Sequence, residues 1–457
     1  MQRAELLFAP SAWVGGRWQH SVVLQVGSDG RWQAVDAGQP CPPDAQRLPG
    51  PALPSLVNAH SHAFQRAFVG LAERRESEHD DFWSWRERMY AVALRIGPEQ
   101  LHAVATQLYI ELLRGGYTQV CEFHYLQHQH DGRPYADRAE LCWALADAAR
   151  DAGIGLTLLP VVYERAGFTQ PALREQQRRF AASADEVLAL QAAVAGRRQP
   201  LLNAGTALHS LRAARPESIR HLAEHASGPL HIHIAEQTGE VDDCLAATGR
   251  RPIEWLARHA PLDARWQLVH ATHTVPAEIE AVARAGAGVV LCPGTEANLG
   301  DGLCDLRHWL ASGTALAIGS DSHVTRAWPE ELRWLEYGQR VLLRQRNVAA
   351  APASGQPSSA ARLFERVRQG GAAACGERAW GLERGARADL LVLDAEQGAL
   401  LGVPAEALLD ATVFAAAERP VRDVLVAGRW VLRQHEHPAE TAAAREFVRA
   451  VSALHRA

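Results

Sequence analysis

"ALPSLVNAHSH" (residues 52–62) is an apolar run that ends on two histidines one residue apart. Such a run reads as a strand buried on both faces, as strands of parallel sheets are. Seven more follow it: "YTQVCEFHY" (117–125), "GLTLLPVVY" (155–163), "LLNAGTALHS" (201–210), "PLHIHIAEQ" (229–237), "WQLVHATH" (266–273), "GVVLCPGTE" (288–296) and "ALAIGSDSH" (315–323). Helical patterns separate them, among them "PEQLHAVATQLYIELLRGG" and "YADRAELCWALADAARDAG", the latter closed by a glycine. Eight strands alternating with helices predict an α/β chain whose residues 53–370 form a TIM-like (β/α)8 barrel.

The flanks read differently. Residues 5–48 hold short alternating runs, "RWQHSVVLQVG" and "RWQAVDAG", broken at Ser28-Asp29-Gly30 in the manner of hairpins. The pattern returns in "ADLLVLDAE" (388–396) and "VRDVLVAGRWVLRQHEH" (421–437). Residues 1–52 and 371–457 are therefore expected to build one small β-sandwich domain from both termini, followed by a helix over "AETAAAREFVRAVSALHRA". "NVAAAPASGQPSSAA" (347–361) is the candidate flexible loop.

Composition narrows the classes of function. The 457 residues are 47% hydrophobic and 22% charged, with a net charge of −5, so neither nucleic acid nor a membrane surface is an expected partner. The N-terminus lacks a basic segment followed by a long apolar one, and seven scattered cysteines without a CxxC pair read as reduced thiols of a cytoplasmic protein. Lysine is absent, and all 47 basic residues are arginine. That excludes Schiff-base chemistry, a phosphate-loop lysine and a carboxylated-lysine bridge between two metals.

Polar residues gather where these strands end: His60 and His62, His124 and Tyr125, His209, His231 and His233, Glu236, His270 and His273, and Asp321. In a barrel that end carries the active site. Imidazoles with one carboxylate suit a single Zn²⁺, and a zinc ion lowers the pKa of a bound water to about 7. His231 and His233 share a strand face, so spacing does not say which of them ligates. Glu236 lies just past the strand, within reach of a proton-carrying role like that of the non-ligating glutamate in zinc deaminases.

Taken with "NAHSHAFQRA", "FWSWRERMY", "EFHYLQHQHDG", "HSLRA", "HIHIAEQ", "LVHATH", "TEANLGDG", "IGSDSHV" and "ELRWLEYGQR", the chain resembles the amidohydrolase superfamily, and within it the formimidoylglutamate deiminases of histidine degradation. The resemblance implies hydrolysis of N-formimidoyl-L-glutamate to N-formyl-L-glutamate and ammonia. It implies one Zn²⁺ per chain, held by His60, His62, His233 and Asp321. It gives Glu236 the proton transfer, His270 the polarising of substrate or orienting of water, and Asp321 a proton from that water. His209 would contact the formimino group, while Gln65, Arg86, Tyr125 and Arg212 would hold the glutamate part. Paired arginines suit that part, because their planar forks bind carboxylates bidentately.

The absence of lysine agrees with a single metal. One departure stands out, Gly294 in "CPGTEANLGDG", where a hydroxyl residue is expected. The rival activity is deamination of a purine or another cyclic amidine on the same metal. From another class, the rival is an inactive scaffold, against which Glu236 and His270 speak because neither is needed to hold zinc. A homodimer is the expected assembly.

Overall fold

A computed structural model describes residues 5–74, 82–396, 398–416 and 420–456, with only the backbone of Phe82, Trp83 and Ser84. Asp80 and Asp81, which precede the Trp-rich "FWSWRERMY", lie outside the described residues.

All eight expected barrel strands form. They are β1 (Leu56–Ser61), β2 (Tyr117–His124), β3 (Gly155–Val162), β4 (Thr206–Ser210), β5 (Leu230–Ile234), β6 (Trp266–His270), β7 (Gly288–Leu291) and β8 (Ala315–Ile318). Neighbours are parallel throughout. The ring closes where β3 meets β4 at Val161↔Ala207 and where β8 meets β1 at Ile318↔Asn58. β1, β2 and β3 are buried at every position, which is why they read as unbroken apolar runs. The outer ring includes helices Pro98–Arg114 and Glu140–Ala152, the second ended by Gly153 at φ 78°, a left-handed conformation that favours glycine.

The termini meet in one continuous eight-stranded sheet. Its path runs from Arg429–Leu432 through Val421–Val426, Leu390–Leu393, Ala52–Leu53 and Leu6–Val14 to Arg17–Val26 and Trp32–Asp36, with Gln46–Arg47 beside Leu6–Val14. Ala52–Leu53 is the seam that pairs both chain ends. A buried Arg387–Asp389 pair (2.7 Å) ties this sheet to the barrel, since Arg387 also donates to Gln119 Oε1 of β2 at 2.6 Å. All seven cysteines are free, six of them buried. Residues 347–361 carry a short 3₁₀ turn, Pro352–Ser354, pinned by an Ala351↔Gln356 bridge. Among the described residues no helix is long and apolar enough to cross a membrane.

Candidate active site

At the C-terminal mouth of the barrel several strands end in backbone turns that non-glycine residues seldom adopt. Ala235 (φ 52°), His270 (φ 69°) and Asp321 (φ 46°) all lie in the left-handed region. Such positions cost about 1–3 kcal/mol each and persist where surrounding contacts over-determine them. Here those contacts are backbone bonds between strand ends: Asp321 N donates to His60 O (3.0 Å) and His62 N to Asp321 O (3.2 Å).

The result is a set of donors gathered around His60. His60 Nε2 lies 3.1 Å from His62 Nε2 and 2.9 Å from His233 Nε2, and Asp321 Oδ1 is 3.5 and 3.4 Å from the first two. Donors about 2.0–2.1 Å from a tetrahedral ion stand about 3.3 Å apart, and these four separations are of that order; His60, His62 and Asp321 form one potential ligand group and His60, His233 and His270 another, joined at His60. Protonation agrees. Burial pushes His60 down to about 3, lowers His62, and holds His233 well below the usual imidazole range. Burial alone would raise Asp321, but the His60 contact, with His270 and His62 behind it, holds it well below the carboxylate range. Neutral imidazoles and an ionised carboxylate are the states that bind a divalent cation. A carbonyl can only accept, so the 2.9 Å contact of His62 Nδ1 with Phe123 O places the proton on Nδ1 and leaves Nε2 to the cluster.

Two acid–base groups stand beside the four. Burial lifts the Glu236 carboxyl to about 7, against the pull of His270, whose Nε2 is 3.7 Å from Glu236 Oε1. Burial works against a charge on His270, yet Glu236 and hydrogen bonds with Cys292 and Glu296 carry it well above its usual range. His270 Nδ1 faces Glu296 Oε1 at 3.4 Å, and its Nε2 lies 3.9 Å from Asp321 Oδ2. His270 is thus set among three carboxylates, which favour its charged form.

A cavity opens outward from this group, with Gln65, Tyr125, His209, Arg86 and Arg212 in its walls. Gln65 Nε2 donates to Tyr125 OH at 3.1 Å, both residues buried. Arg86 and Arg212 are half-buried, and the Arg86 guanidinium lies 5.6 Å from the Tyr90 ring centre.

A model of the amidohydrolase family matches residues 52–431. The chain belongs to that family. It is 48% identical to the formimidoylglutamate deiminase of Pseudomonas aeruginosa over 456 residues, covering 98% of this chain and 99% of the relative. Among solved structures it resembles an amidohydrolase from Brucella melitensis, with a TM-score of 0.92 at 41% identity over 98% of this chain and 99% of that one. It shares the fold of a zinc-complexed atrazine chlorohydrolase from Arthrobacter aurescens, with a TM-score of 0.81 at 20% identity over 99% of both chains.

As in the family at large, metal dependence fits the residues present. Every residue expected at the site on the resemblance lies among the donors around His60, beside them, or in the cavity wall. Three other strand-end histidines do not. His231 sits two residues deeper, its Nε2 2.9 Å from Ala374 O at the barrel floor, whereas His233 Nε2 faces His60. His273 Nε2 bonds Asp301 O (2.8 Å), and the His124 ring is buried with its Nε2 unpartnered. Spacing also missed Tyr163 and Phe180 in the wall, and Cys292 and Glu296 behind His270. The quoted "TEANLGDG" contained Glu296, without saying what it faces.

The departure at Gly294 has a steric answer. A Cβ there would lie 2.5 Å from Thr325 Oγ1 and 3.0 Å from Glu331 Oε1. Thr325 fills that space, and its hydroxyl bonds Glu331, which also accepts from Gly294 N at 2.8 Å.

Proposed function

We propose that this amidohydrolase is a zinc-dependent formimidoylglutamate deiminase acting in histidine degradation, with one ion per chain. The reaction is N-formimidoyl-L-glutamate plus water giving N-formyl-L-glutamate and ammonia. The observation that carries the reading is one cavity joining the donors gathered around His60 and an acid–base pair to two half-buried arginines. The whole-length identity to the Pseudomonas enzyme supports it. A purine pocket would favour flat apolar walls, whereas a dicarboxylate needs fixed cations.

His60, His62, His233 and Asp321 would hold the ion. When bound, zinc supplies Lewis acidity and a water acidic enough to ionise near pH 7. Arg86 and Arg212, with Gln65 and Tyr125, bind the glutamate carboxylates, and His209 contacts the formimino group. That leaves the formimino carbon toward Glu236 and His270. Asp321 and Glu236 take the two protons of the attacking water, and both reach the imino nitrogen by way of Glu236, one as the tetrahedral carbon forms and one as the carbon–nitrogen bond breaks, so that the nitrogen leaves as ammonia. His270, favoured in its charged form, steadies charge developing at the tetrahedral carbon. The carbon–nitrogen double bond is replaced by a carbon–oxygen double bond, and no oxidant is needed. The assembly expected is a homodimer, and the compartment the cytoplasm.

The test is ammonia release from N-formimidoyl-L-glutamate by zinc-loaded protein, with formamide assayed in parallel and guanine as the competing substrate. Ammonia with N-formylglutamate is expected. Formamide would mean cleavage on the other side of the carbon, and preference for guanine would replace the substrate.

A further inference from the structure

Glu122, on β2, is buried and takes no part in the chemistry above. It opens the motif "EFHYLQHQHDG", of which the mechanism uses only Tyr125. Its carboxylate accepts three hydrogen bonds. Ser61 Oγ donates at 2.6 Å, the backbone N of Ala63 at 2.6 Å, and Tyr109 OH at 3.3 Å. Ser61 is the residue between His60 and His62, and Ala63 follows them. Side chains alternate along a strand, so Ser61 points away from the donor cluster, toward β2 and helix Pro98–Arg114.

The contacts extend past Ser61. Asn58 Nδ2 donates to Ser320 Oγ (2.7 Å), and Ser320 Oγ lies 2.9 Å from His323 Nδ1. His323 Nε2 is 3.5 Å from Ser61 Oγ, which donates on to Glu122. With the His323 proton on Nε2, every group gives one bond to the next, and the chain ends on the Glu122 carboxyl, which burial lifts to about 8 against the pull of Ala63, Ser61 and Tyr109. All five side chains are buried, and their residues flank His60 and His62 on one strand and Asp321 beyond another. An ionisable group is a costly way to brace an apolar wall, and a fully connected polar network specifies one geometry.

We infer that Glu122 is a positioning residue, whose carboxylate sets the separation of His60 and His62 by holding Ser61 and Ala63 on either side of His62. The inference rests on the metal reading above. An amide offers one acceptor oxygen where the carboxylate takes three donors on two, so in Glu122→Gln either the bonds with Ser61 and Tyr109 reverse or the bond from Ala63 N is lost.

The test measures zinc affinity by chelator competition, the visible spectrum of the Co²⁺-substituted protein, and the melting temperature of the metal-free chain. Glu122→Gln is expected to weaken zinc binding about 10–100-fold, the range typical when support behind a ligand is lost. Its Co²⁺ bands should change while the metal-free melting temperature stays near wild type. Tyr109→Phe, which removes the third donor without touching the ligand segment, should leave affinity and spectrum unchanged. The Ser61→Ala/Glu122→Gln double variant should lose no more affinity than the worse single. Should Glu122→Gln not fold, Glu122→Asp, with the carboxyl drawn back by one methylene, is read the same way. Wild-type affinity and spectrum in the folded variant, or additive losses in the double, would overturn the inference while leaving the metal reading intact. Failure of the wild type to bind zinc would overturn both.

Discussion

Glu236→Gln keeps the shape of the side chain and removes its ability to carry a proton. The size of the effect follows from where Glu236 sits. At the ordinary value of 4.5 a carboxyl would be protonated in about one molecule in 300 at pH 7, whereas one lifted by burial to about 7 is protonated in about half. The acid form is enriched about 150-fold, and about half the molecules still present a base. A single group that first takes a proton from water and later gives one to nitrogen needs both forms. Positioned proton transfer of this kind contributes about 10²–10⁴-fold, or about 3–5 kcal/mol of barrier. The kcat for ammonia release should fall by that range with the zinc content of the same sample unchanged. In the wild type the acid form is lost as pH rises through about 7, so turnover should decline on the alkaline side, and the variant should lack that limb. A near-normal kcat would remove Glu236 from proton transfer. Loss of zinc would make it a ligand instead.

Chelation followed by zinc reconstitution should return close to one equivalent per chain with recovered activity; two equivalents, with activity tracking the second, would refute the single-ion site. Arg212→Ala and Arg86→Ala should each lower kcat/KM with normal zinc content. A lost charge contact to a buried partner costs about 2–5 kcal/mol, or about 30- to 5,000-fold, and wild-type kinetics in both would place the glutamate elsewhere. Burial holds His124 at about 3, below its unfolded value of 6.5, so its share of stability is complete above pH 6.5 and is lost as pH falls toward 3. That loss reaches at most about 1.4 kcal/mol per pH unit. Denaturant unfolding of His124→Gln should therefore show a shallower decline on acidification, and an unchanged slope would show that His124 is protonated in the folded chain.

The sequence by itself determined the barrel and the end of it that carries chemistry. Strands buried on both faces must be apolar along their length, so histidines and an aspartate at their ends stand out against runs such as "GVVL" and "ALAI". The terminal sheet was legible for the related reason that half-exposed hairpins alternate. Other features depend on depth and distant approach, which no local pattern records. His231 and His233 share a face and a residue type, yet a rise of about 3.3 Å per residue sends one to the barrel floor and the other to the donor cluster. Thr325 occupies the space a side chain at position 294 would need, although Gly294 lies in the helix Pro293–Leu299 and Thr325 in the loop after β8. Glu296 reaches His270, and Glu122 reaches Ser61, only because separate strands are pressed together in a closed ring. Side-chain type and period are properties of a segment, but the partner of a buried polar group is decided by which segments the fold brings into contact.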